Sequence, residues 1–207
     1  MVSDKVVFLG SHKTAGQTDP LAALDAWWRG LCKGRIMPLR DEVDPAALSR
    51  NLDRVCLIER IAPRQARFRL AGQNLAAILG MDLRGMPVSC LFEPSARAAL
   101  GDALAVLFDE PARTELRLSE PPSAFRTPVT ARLLLLPLRG RSGEPDRAIG
   151  LLDPGAATVT QRLRIEGADH RTLIGCATRP DPVDAPFAAV EKARSIAARR
   201  AGFRVVD

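Results

Sequence analysis

Residues 67–72, Arg67-Phe68-Arg69-Leu70-Ala71-Gly72, alternate basic with apolar side chains and end on a glycine; from Gln73 the spacing turns helical until Gly80. A period of two sends neighbouring side chains to opposite faces of a strand. The longer period gathers Leu75, Ile78 and Leu79 on one side of a short helix. A chain that switches period within so few residues must turn a corner at Gly72, stop a helix at Gly80 and turn again through Leu83-Arg84-Gly85-Met86-Pro87. Both Gly72 and Gly80 are read as backbone requirements, a positive φ or a helix C-cap.

The flanking segments extend this pattern. Asp19-Pro20 starts a helix, since Asp caps free amides and Pro is tolerated in the first turn. Leu21, Leu24, Trp28 and Leu31 follow on one face, and Gly34 and Pro38 end it. Asp44-Pro45 opens a second short helix carrying Leu48 and Leu52. Residues 56–61 read as a strand and Pro63-Arg64-Gln65 as the turn of a hairpin with the 67–71 strand. Residues 94–109 form the longest central helix, with Ala96, Leu100, Leu104 and Leu107 as its buried stripe. Three more strands are expected at 114–118, 129–138 and 148–152, the last two joined by the polar connection 139–145.

Beyond Asp153-Pro154, residues 162–165 and 171–174 fit either a short hairpin or irregular structure packed on the sheet. The prolines of 180–186 mark a linker, and 187–201 a final helix bearing Lys192, Arg194, Arg199 and Arg200. Strands grouped around a helical block imply an α+β fold. The expected form is a five-stranded antiparallel sheet with helices on one face, plus N-terminal and C-terminal helical extensions. The expected division is a flexible arm over 1–19, a domain over 20–155 and an extension over 156–207.

Composition narrows the functions. The chain has 207 residues, a hydrophobic fraction of 46%, seven Phe, two Trp and no Tyr. Scarce aromatics argue against a stacking platform for single-stranded nucleic acid. The net charge of +6 comes from 30 basic residues interleaved with 24 acidic ones, so nucleic acid is not the expected partner. Cys32, Cys56, Cys90 and Cys176 lie far apart without a C-x-x-C pair, as expected of reduced, mostly buried thiols. No stretch has the length of a signal or membrane-spanning segment, so no membrane role and a cytoplasmic location are expected. The two histidines, His12 and His170, stand beside no evident nucleophile or metal cluster. Catalysis is not expected.

Several spaced pieces resemble single-domain PAS proteins of alphaproteobacteria: Trp27-Trp28-Arg29, Pro38-Leu39-Arg40-Asp41 with Asp44-Pro45, Phe68-Arg69-Leu70-Ala71-Gly72, and Leu79-Gly80 with Leu83-Arg84-Gly85. The resemblance covers about residues 20–155 and departs at Gln73, where that family places a small hydroxyl residue. It implies a PAS-like sheet and a sensory or regulatory protein without its own output domain. Such a protein binds a small molecule, a protein partner or a second copy through its flanking helices.

In such a fold Phe68, Leu70, Leu79, Phe92, Leu104 and Leu116 face the interior, as pocket walls or as filled core. Arg69 clamps an anionic ligand or pairs with Glu59 across the hairpin. Haem is not expected, because both histidines lie outside 20–155, although Cys90 or a Met could ligate. Flavin-adduct chemistry is not expected either, because Ser89-Cys90-Leu91-Phe92 lacks the polar partners of a light-oxygen-voltage cysteine. The rival readings are a small-molecule-binding enzyme of a related α+β fold and a basic nucleic-acid-associated regulator.

Overall fold

The computed structural model describes residues 19–124 and 127–173. The arm before Asp19, the 180–186 linker, the 187–201 helix, His12 and Cys176 lie outside the described residues.

Helix α1 (Pro20–Cys32) begins where Asp19 accepts a bond from the Leu21 amide at 3.2 Å, with Pro20 in the first turn. It ends at Lys33, held left-handed at φ 48°. Residues Pro45–Arg54 are helical as expected but wind as a 3₁₀ helix. The hairpin β1 (Val55–Ala62) and β2 (Gln65–Ala71) follows, then α2 (Gln73–Leu79), α3 (Arg97–Asp109) and β3 (Ala112–Ser119). Strands β4 (Thr130–Arg139), β5 (Pro145–Asp153) and β6 (Arg164–Thr172) complete the described chain. They form one antiparallel sheet in the order β2-β1-β5-β4-β3-β6.

The fold class is the expected α+β one, with two differences. The sheet has six strands rather than five, because β6 adds to the free edge of β3. It carries almost no apolar alternation; Gly167, Asp169, His170 and Arg171 leave no periodic signal. Its attachment rests on backbone pairing, with Thr114 Oγ1 3.0 Å from His170 Nδ1.

Helices also lie on both faces rather than one. Helices α2 and α3 cover the inner face, whose core includes Ile58, Phe68, Leu75, Phe92, Leu104, Leu116, Leu133 and Leu135. Helix α1 covers the outer face through Leu21, Leu24, Trp28 and Cys32, packed with Val55, Leu57, Leu134, Leu136, Leu138, Ile149 and Leu151. This explains the unbroken run Leu133-Leu134-Leu135-Leu136. Its odd members enter one core and its even members the other, as in a strand buried on both faces.

The 67–85 segment closes on itself. After α2 the chain returns so that Phe68 N–H donates to Met86 O at 2.9 Å and Gly85 N–H donates to Phe68 O at 2.8 Å. Gly80 holds φ 65° at the C-cap of α2, the left-handed position that favours glycine. Gly72 is needed for another reason. Its φ is −66°, but a side-chain carbon there would overlap the backbone carbonyl of Asp53. Its N–H also donates to Val55 O at 2.8 Å, fixing the corner between sheet and helix. We expect Gly72→Ala to destabilise the domain by about 1–3 kcal/mol through overpacking. Gly80→Ala should cost about 1 kcal/mol. Thermal melting checks both, at about 2–4 °C per kcal/mol for a chain of this size.

Candidate functional site

The residues proposed as pocket lining separate into two groups. Phe68, Phe92, Leu104 and Leu116 are each no more than 2% exposed and meet in the inner core, with Leu79 half-buried at its margin. Arg69 and Leu70 are not brought there. Ile58 pairs with Phe68 and Leu57 with Leu70, so Arg69 is the extra residue of a β-bulge. A bulge resets the alternation: Leu70 emerges 40% exposed, paired with outer-face Leu57 instead of following Phe68 inward. One inserted residue is invisible to a period-two reading.

At the inner margin, a cavity of about 190 Å³ lies between α2 and the 154–159 loop, lined by Arg54, Asn74, Leu75, Leu152 and Val159 among others. Drug-sized ligands need roughly 300–1,000 Å³. The loop is held from beneath by Glu120, which is 1% exposed and accepts the amides of Thr160 at 2.7 Å and Gln161 at 3.1 Å.

The outer face carries clustered charge. Glu59 accepts Arg67 Nε at 2.7 Å and Arg69 Nε at 2.8 Å on one oxygen and Arg147 Nη2 at 2.6 Å on the other. Arg69 is thus engaged with protein. Burial would raise the Glu59 carboxyl; the Arg67 hydrogen bond and the charges of Arg147, Arg69 and Arg67 outweigh it and hold the group below the usual carboxylate range.

A second array runs along the other end of the sheet. Arg132 Nη2 lies 2.9 Å from Asp19 and 3.1 Å from Asp153, and Arg54 Nη1 lies 3.4 Å from Asp153. Asp19 therefore caps α1 and ties it to β4 at once. Only the first role follows from the Asp-Pro signal, because the tie spans 113 positions in sequence. Trp28 Nε1 adds a bond to Pro137 O at 3.0 Å, again over a separation that no local spacing reveals.

Among the described residues the thiols offer no nucleophile near neutrality. Burial pushes Cys56 up to about 12 and raises Cys32 and Cys90, the last despite nearby Arg162 and Arg97. Among the described residues no His, Cys, Asp and Glu cluster of three or more is placed to hold a metal ion, and no helix is long and apolar enough to cross a membrane.

The PAS domain family matches residues 17–153. This chain belongs to the PAS domain family. Three solved structures are similar to it. The light-state structure of the LOV domain of the blue-light photoreceptor aureochrome1 shares 15% identity at a TM-score of 0.36, covering 52% of this chain and 84% of that one. A LOV domain studied with a flavin analogue shares 17% at a TM-score of 0.35, covering 52% and 80%. An RNA-binding LOV receptor shares 19% at a TM-score of 0.36, covering 73% of this chain and 36% of that one. No curated protein matches the sequence.

The three-arginine clamp on Glu59 in this PAS domain gives a pH prediction. A carboxyl whose folded pKa lies below its unfolded value of about 4.3 contributes stability above that value and loses it as pH falls through the folded pKa. We expect Glu59→Gln to cost about 1–3 kcal/mol at pH 7. The gap to the wild type should close below about pH 4, as read by melting curves of both proteins across that range.

Proposed function

We propose that this PAS protein is a sensory or regulatory module that signals by binding, and that α1 is its moving element. A ligand biases how α1 seats on the sheet, and a protein partner or second copy reads the seating. A ligand shifts such an equilibrium only by binding its two states unequally, so the element it moves must be separable. The observation that carries this reading is the attachment of α1. It covers the outer face by one apolar stripe, supplemented by the Trp28–Pro137 hydrogen bond and the Asp19–Arg132 ion pair. The inner core and its helices form a cluster separate from that stripe.

Binding rather than turnover is also what the chemistry supports. The buried thiols are protonated, and Glu59 is bound by three arginines. Native mass spectrometry of gently purified full-length chain tests the reading. We expect a dimer mass, a partner mass or a retained small molecule, diminished in Trp28→Phe, which keeps the aromatic body of the helix seat and deletes its donor. A bare monomer in both proteins would overturn the reading. So would turnover of a substrate that Trp28→Phe leaves intact.

A further inference from the structure

Between α1 and the β3–β6 edge, on the outer face, lies a groove of about 580 Å³ lined by Asp25, Trp28, Arg29, Arg35, Arg113 and Arg171 among others. It stands apart from the inner core, and its volume falls within the range of small-molecule sites. Four of the lining residues are arginines and only one is an acid. The acid is already engaged: Asp25 Oδ2 holds Arg29 at 2.8 Å, and its buried Oδ1 lies 3.7 Å from Arg113 Nε. Arg35 is spent partly on Glu42 at 2.5 Å and on the carbonyls of Leu31 and Cys32.

Arg113 and Arg171 decide the matter. They are paired directly across β3 and β6, and like charges at that position repel. Glu115, in the next pair on the same face, bonds Arg113 at 2.6 Å and stands opposite Asp169, a second like-charge pair. Arg171 makes no ion pair among the described residues. A guanidinium held beside another without its own counter-charge favours an anion that bridges both, and its planar fork suits carboxylate or phosphate oxygens. The remaining wall is apolar, from Trp28, Ile36 and Leu173.

We propose that this groove binds a small organic anion, a carboxylate or phosphate carried on an apolar body, with Arg171 and Arg113 as its clamp. The proposal rests on the binding role argued above and names the class of ligand that α1 answers to. The site differs in place from the inner space between sheet and α3. Trp28 floors it, and the chain's only two tryptophans are Trp27 and Trp28, so intrinsic fluorescence reports on its occupancy.

The test is titration of the full-length chain with phenyl phosphate, benzoate, inorganic phosphate and benzyl alcohol, followed by tryptophan fluorescence and calorimetry. We expect saturable binding of phenyl phosphate or benzoate, the tighter of the two naming the head group. Inorganic phosphate should bind more weakly and benzyl alcohol not at all. Arg171→Gln, a substitution on an exposed edge strand whose folding circular dichroism verifies, should weaken binding about tenfold, as for one lost charge-assisted hydrogen bond. Arg141→Gln, in the β4–β5 connection, should change nothing. No saturable binding, equal binding of benzyl alcohol, or an affinity unmoved by Arg171→Gln would overturn the groove assignment. If that happens while the native mass spectrum still shows a dimer or partner sensitive to Trp28→Phe, only the ligand site falls; if the spectrum fails as well, the binding role falls with it.

Discussion

Burial of the central strands on both faces is the constraint from which most of this structure follows. Strands β4 and β5 place alternate residues into two separate cores. A sheet in that position needs helices on each side, since an apolar face left in water forfeits about 25 cal/mol per Å². On the inner side α2 is tied to the sheet by the 67–85 segment that folds back on β2, and α3 by core packing and the pairs Arg60–Asp109 and Arg64–Asp102. On the outer side α1 does most of the covering, joined by Met37 and Val43 of the segment that follows it. Loss of α1 would expose Leu134, Leu136, Leu138, Ile149 and Leu151 together, so any movement of the helix has to keep that stripe covered while changing its tilt or depth.

Charge is organised around the same asymmetry. On the inner side arginines pair singly with acids of α3, Arg60 with Asp109 and Arg64 with Asp102, whereas the outer face gathers several round one carboxylate: Glu59 with three partners, and Asp153 with Arg132 and Arg54. The arginines round Glu59 and Asp153 are fixed in position by those carboxylates. Pairs of this kind give orientation more than stability, because desolvation offsets much of their attraction.

How much of this was legible in the sequence depends on whether a feature is periodic. Five strands and the helices at 20–32 and 97–109 followed from spacing and caps, and the left-handed C-cap at Gly80 followed from the glycine alone. Strand β6 did not, because an edge strand exposed on both sides has no apolar rhythm to show. The bulge at Arg69 did not, because an extra residue looks like any other in a linear pattern, and it moved Leu70 from one face to the other. The second covered face was implicit in four consecutive leucines, which period alone cannot distinguish from an ordinary buried strand. The polar ties of α1 to β4 join residues more than a hundred positions apart, beyond any local signal. Within the candidate pocket, the buried aromatic and leucine positions were readable as interior. Whether they line space or fill it depends on packing volumes that a pattern does not carry.

The sixth strand has a consequence for how copies of the chain meet one another. A sheet ending at β3 would present an alternating strand with buried Ala112, Thr114, Leu116 and Leu118 as an open row of backbone donors and acceptors, a template for stacking sheet on sheet. At the opposite end, Phe68 has its backbone groups occupied by Gly85 and Met86. Among the described residues, strand β6 moves the outermost edge onto Glu166, Asp169, His170 and Arg171, side chains of mixed charge that resist in-register pairing with a neighbour. A strand adding along β6 would meet those charges rather than an apolar row.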